Sequence, residues 1–131
     1  LSGVKKTDTM VENHYDKEKN CIFVKARGTV NIKDMKNAID FLRNNPDLKG
    51  NLKIMEDAMD VKVEFTKNEI DSIVCNMEEV ASKFNSVKHA VVHNIALNTA
   101  FAYIAESKIK ESKYEFKVFA TLKAAKQWLG I

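Results

Sequence analysis

The 131-residue chain holds one proline and four glycines, which excludes loop-dominated and low-complexity architectures and favours long regular elements. Its two cysteines, Cys21 and Cys75, are far apart and lack a C-x-x-C spacing. They sit in apolar runs and read as reduced core thiols of an intracellular protein. No apolar stretch approaches the roughly 20 residues of a membrane span, and no signal peptide is visible, so membrane insertion is not expected and cytoplasm is the expected location. Nor does one sign of charge prevail. The 21 basic and 18 acidic residues leave a net +3, interleaved along the chain without a basic arm or an aromatic RNA-binding platform. Nucleic acid is therefore not an expected partner. There is no G-x-G-x-x-G, no Walker loop and no G-x-S-x-G elbow. No cofactor and no catalytic residue are expected, although an enzyme assembled from scattered side chains stays open.

Hydrophobic residues at 45% and charged residues at 30% define an ordinary globular balance rather than a disordered one. A chain of this length buries roughly 65–70% of its unfolded surface without staples. Residues 8–131 read as one domain. Residues 1–7, which begin Leu1-Ser2-Gly3 rather than with methionine, read as a tail or an expression remnant.

One device occurs twice. Val30-Asn31-Ile32-Lys33-Asp34-Met35 and Phe65-Thr66-Lys67-Asn68-Glu69-Ile70 each place an apolar staple around a side-chain N-cap, with an acid three residues later. Each marks a helix start, and each follows a strand-like run. The pattern predicts strands over 9–15 and 21–27, joined by the polar turn 16–20 as a hairpin, with Gly28 ending the second. A helix over 32–44 follows, stopped by Asn44-Asn45-Pro46. Residues 51–56 predict a third strand. In 57–64, Val61 and Val63 alternate with Lys62 and Glu64, which suits a short edge strand or an extended loop. The second helix follows Thr66 and carries a wide apolar stripe from Ile70 to Phe84. A fourth strand over 87–93, a third helix over 96–110, a fifth strand over 115–119 and a final helix capped by Thr121 complete the order β-β-α-β-α-β-α-β-α. Repeated βα units require parallel strands and right-handed crossovers, so the fold class is α/β with a mostly parallel sheet covered by helices.

Three stretches resemble the SpoIIAA-like superfamily, which contains STAS domains and the anti-anti-sigma factors. Lys25-Ala26-Arg27-Gly28-Thr29-Val30-Asn31 resembles its strand, glycine and helix-start step. Lys88-His89-Ala90-Val91-Val92-His93-Asn94 resembles its fourth strand and following loop. Phe116-Lys117-Val118-Phe119, with Ala125 and Trp128-Leu129, resembles the closing strand and A-x-x-W-L helix of its uncharacterised SpoIIAA-like branch. That branch borders the CRAL-TRIO lipid-transfer domains in fold. The resemblance implies a non-catalytic binding or regulatory module acting through protein contacts, with a small carrier or sensor of a lipophilic ligand as the alternative. Anti-anti-sigma factors open the second helix with a phosphorylatable D-S-S-G-like loop. Here Val63-Glu64-Phe65-Thr66-Lys67-Asn68 stands in that place, and only Thr66 offers a hydroxyl. A phosphate there would suit a helix N-terminus, but a capping-box threonine already accounts for the residue.

The resemblance puts a ligand or partner surface on the loop after the third strand (Asp57, Asp60), at the second helix start (Thr66) and at the turn after the fourth strand (His93, Asn94, Asn98). Glu56 groups with Asp57 and Asp60 as an acidic cluster, but nothing there matches a calcium loop, and no metal is expected. His89 and His93 stand about 13 Å apart on one strand, too far to share a metal easily. His89 reads as a hydrogen-bonded strand residue. His93, at the strand end, is the better functional candidate, and an enzyme would need it to face an acid in a pocket. The third helix is apolar nearly all round and rich in alanine. It can pack on its neighbours, form a homodimer or other protein contact, or leave an apolar cleft at Met77, Phe101 and Ile104 for a lipophilic molecule.

Overall fold

Two extended runs joined by a short polar turn fold back on each other, and the computed structural model, which describes residues 10–131, begins with that hairpin. β1 (Met10–Asp16) and β2 (Cys21–Val30) pair antiparallel. Asn20 closes the turn at φ 49°, a conformation asparagine tolerates. Its amide donates to the carbonyls of Lys49 and Asn51, and its side-chain oxygen accepts from the Tyr15 hydroxyl at 2.7 Å. The predicted tail over 1–7 lies outside the described residues.

The remaining elements follow the expected order: α1 (Ile32–Arg43), β3 (Asn51–Val63), α2 (Lys67–Ala81), β4 (Ser86–Val92), α3 (Ala96–Lys108), β5 (Tyr114–Phe119) and α4 (Leu122–Leu129). Both capping boxes are made, Asn31 with Asp34 and Thr66 with Glu69, and Thr121 caps α4.

The strands lie in sequence order, β1-β2-β3-β4-β5, and every pair after the hairpin is parallel. Right-handed crossovers between successive neighbours put α1, α2 and α3 on one face of the sheet. α4 follows the last strand, so no crossover constrains it. Its Ala125 and Leu129 pack on the other face with Cys21, Met55, Ala90 and Val92. The core on the three-helix side falls into two clusters. Ile22, Leu52, Val80 and Val87 centre one of them, and Ala26, Val30, Val61 and Val91 the other.

Three expectations require correction. Gly28 does not end the second strand. It sits inside β2 at φ 85°, and pairing continues to Val30 opposite Val63. Residues 57–63 are strand rather than loop, but not a separate short one: they continue β3, running parallel to β2 through a bulge at the Lys25/Arg27 step, with no strand among the described residues on their other edge beyond Asp57. The bulge adds a residue to β3 and resets which side chains point inward, which hides the strand from simple alternation. β4 pairs only as far as Asp57, so the last turn of β3 overhangs its neighbour. Cys75 is the third correction. It is exposed on α2, off the buried stripe Ile70, Val74, Met77 and Ala81, whereas Cys21 is buried; both thiols are free.

Candidate functional site

The overhang of β3 leaves backbone polar groups without a strand partner, and two side chains, one from the β4–α3 connection and one from the first turn of α3, replace it. Asn98, 1% exposed, accepts from the Val63 N–H at 3.2 Å and donates to the Val61 carbonyl at 2.5 Å. His93 Nδ1 donates to the carbonyl of Ala58 at 3.3 Å. An uncompensated buried donor or acceptor costs about 1–3 kcal/mol, so this substitution of side chain for strand holds the strand end in place.

Upstream of the overhang, alternation along paired strands brings three polar side chains together on the three-helix face. Glu56 lies on β3, His89 on β4 and Tyr114 on β5. Tyr114 Oη donates to His89 Nδ1 at 2.8 Å, and His89 Nε2 donates to Glu56 Oε1 at 2.7 Å. The tautomer follows from the partners, because an ionised carboxylate can only accept. Phe116 sets its ring edge-on to His89 at 4.9 Å between centroids. Burial alone raises the Glu56 carboxyl. The hydrogen bond from His89 and the charges of His89 and His93 outweigh it and hold the group below the ordinary carboxylate range. Burial, then the charges of Glu56 and Glu78, push the Tyr114 phenol well above its usual value. His93 is shifted down by burial, which outweighs the opposing pull of the Glu56 charge and the Ala58 carbonyl.

These groups form the floor of a cavity of about 130 Å³ between the sheet and α1–α3. Its walls are overwhelmingly apolar, and include Met35, Ile73, Met77, Phe101 and Ala105. Phe65 and Phe101 meet at 6.3 Å beside it. Ala102 and Ala105 present only methyl groups from α3, which leaves space that larger side chains would fill.

The sequence-expected site residues divide. His93, Asn98, Met77 and Phe101 line the cavity. Ile104 does not, and points outward at 42% exposure. Asp57 faces the opposite side of the sheet, where it pairs with Lys25 at 3.5 Å, accepts from the Met59 N–H and lines a shallow open depression beneath α4. Asp60 is exposed on β3 opposite Arg27, and Asn94 and Thr66 are exposed. The acidic cluster is therefore no cluster, since adjacent strand residues point to opposite faces. Neither Asp57 nor Asp60 is on a loop. The acid that meets a histidine is Glu56, and the histidine is His89 rather than His93. Among the described residues, no three His, Cys, Asp or Glu side chains converge to hold a metal ion. The signal for the missed trio was present: Glu56 and His89 both occupy the apolar phase of their strands, after Leu52 and Ile54 and after Val87.

No protein-family model and no curated sequence matches the chain. Its fold is similar to that of an uncharacterised protein from the DUF3478 family with a SpoIIAA-like fold, from Shewanella loihica PV-4. The TM-score is 0.65 at 14% identity, over 97% of this chain and 99% of that one. The chain is thus a single α/β domain of SpoIIAA-like fold, as the three motif stretches implied. No helix among the described residues is long and apolar enough to cross a membrane.

Proposed function

We propose that this domain is a non-catalytic binding module that takes a small, mainly apolar molecule between its sheet and α1–α3. The carrying observation is the apolar cavity itself, with its polar groups gathered on the floor apart from Asn13 of β1 and Asp34 of α1. Its volume is comparable to the roughly 150 Å³ that accommodates benzene in an engineered protein cavity. A single ring or a short branched chain fits, whereas a long acyl chain exceeds the space. About seven non-hydrogen atoms contributing roughly 0.6–1 kcal/mol each correspond to a Kd of order 10 µM to 1 mM. Catalysis is disfavoured by the lining, which carries no Ser, Thr, Cys or Lys to act as a nucleophile beside the Glu56–His89 pair.

Titration of the ¹⁵N-labelled protein with toluene tests this reading. Shift changes at Met77, Val91 and Phe101, reduced in Ala102→Leu, are expected. Absence of change at millimolar toluene, or change confined to the outer face of α3, would overturn it.

A second reading, a module docking a protein partner or a second copy, is favoured by one observation. Ile95 at the N-cap of α3, and Tyr103 and Ile104 along it, expose 40%, 58% and 42% of their surface. Native mass spectrometry of the freshly purified protein separates a dimer from a monomer carrying a small extra mass.

A further inference from the structure

The polar floor of the cavity is one-sided in chemistry. Glu56 Oε1 is engaged by His89, but Oε2 has no protein donor among the described residues. His93 commits its Nδ1–H to the Ala58 carbonyl, so its Nε2 is a lone-pair acceptor, and burial favours this neutral form. His89 has both ring nitrogens occupied, and Asn98 spends its amide on the β3 backbone. Tyr114 Oη uses its proton on His89, leaving oxygen lone pairs. No lysine or arginine lines the space, and the further acid on the lining, Asp34, is tied to the Asn31 N–H of the α1 cap. Apart from the amide of Asn13, exposed on the edge strand β1, the open valences of the lining are all acceptors, and the fixed charge is negative.

We infer that the cavity recognises a hydrogen-bond-donating head, best an ammonium, on a compact apolar body, and that it rejects a carboxylate. This inference rests on the binding reading above and names its ligand class: small arylalkyl or branched alkyl amines rather than fatty or aromatic acids. An ammonium supplies donors to Glu56 Oε2 and His93 Nε2 while neutralising the carboxylate. A carboxylate head would meet like charge and lone pairs with no cation to offset either.

Three probes of one size separate the possibilities at pH 7.5: toluene, benzylamine and benzoate, titrated into the wild-type protein by NMR or calorimetry. The expected order is benzylamine, then toluene, then benzoate, with at least about tenfold between the two ionic probes. In Glu56→Gln, which keeps the side-chain shape, the ratio of benzylamine to toluene affinity falls towards one. Should that variant fail to fold, as circular dichroism would show, the wild-type order still decides. Toluene binding with benzoate equal to or tighter than benzylamine overturns this inference and leaves the cavity reading intact. Failure of all three probes to bind overturns both.

Discussion

Three mutually hydrogen-bonded polar side chains in an apolar site make a sharp prediction about stability. In His89→Phe the new ring retains the edge contact with Phe116 but leaves the Glu56 carboxylate and the Tyr114 hydroxyl without partners. Leaving a buried charge without its partner costs about 3–5 kcal/mol. Glu56 keeps 18% of its side-chain surface, which puts the expected loss in the lower part of that range. The triple variant Glu56→Leu/His89→Phe/Tyr114→Phe removes every stranded group at similar volume. It should match the wild type or exceed it by about 1–4 kcal/mol. Urea unfolding followed by Trp128 fluorescence measures both. This tryptophan is the only one in the chain and packs with Phe119 on the α4 face, so it reports unfolding without sensing the substitutions directly. At a urea slope of about 2 kcal/mol per M, the single variant moves the midpoint down by about 1.5 M, and the triple variant restores it. A triple variant as unstable as His89→Phe would refute the idea that the trio is kept for binding at the expense of stability.

Further outcomes follow from the same structure. His93 and Glu56 are both shifted down by the fold, so each contributes stability that is present above its unfolded pKa and lost as pH falls towards its folded one. Stability should therefore decline first below about pH 6.5, through His93, and again below about pH 4.5, through Glu56. Unfolding free energies measured across pH 4–8 would show the upper step vanish in His93→Gln, and a wild type flat from pH 7 to 5 would contradict it. Asn98→Ala strands the Val63 N–H and the Val61 carbonyl, with an expected loss of about 2–4 kcal/mol on urea unfolding. Cys21 is pushed up to about 11, chiefly by burial, while Cys75 is exposed. Ellman's reagent should consequently modify one thiol in the native protein and both in urea; rapid reaction of Cys21 in the native state would count against the burial of β2.

The architecture was legible because its punctuation is local. Asn31 with Asp34, Thr66 with Glu69, and Thr121 announce helix starts within four residues of sequence, and the polar turn ending at Asn20 announces the hairpin. Strand register is non-local, and local punctuation does not encode it. Glu56 is 33 residues from His89, and the bulge in β3 reverses the inward phase just beyond it, so residues 57–64 suit a short edge strand or a loop as readily as a continuation of the third strand. Proximity in sequence groups Glu56, Asp57 and Asp60, although a strand sends neighbours to opposite faces. Cys75 departs from its expected core position for a milder reason. Its neighbours are apolar, but helical spacing from Ile70, Val74 and Met77 already turns it towards solvent.

The sequential strand order also bears on how the chain assembles. Each strand's partner is the one synthesised just before it, so β-pairing can proceed outward from the β1–β2 hairpin without waiting for distant segments. The hairpin and β3 are therefore expected to gain amide protection before β5 in pulse-labelling hydrogen exchange, and simultaneous protection would contradict this order. Glu56 is in place early, His89 arrives with β4, and Tyr114 closes the hydrogen-bonded chain only when β5 docks on the open edge. The floor of the cavity is consequently the last part of the three-helix face to mature, and a chain interrupted before residue 114 would carry an unfinished cavity on an otherwise paired sheet.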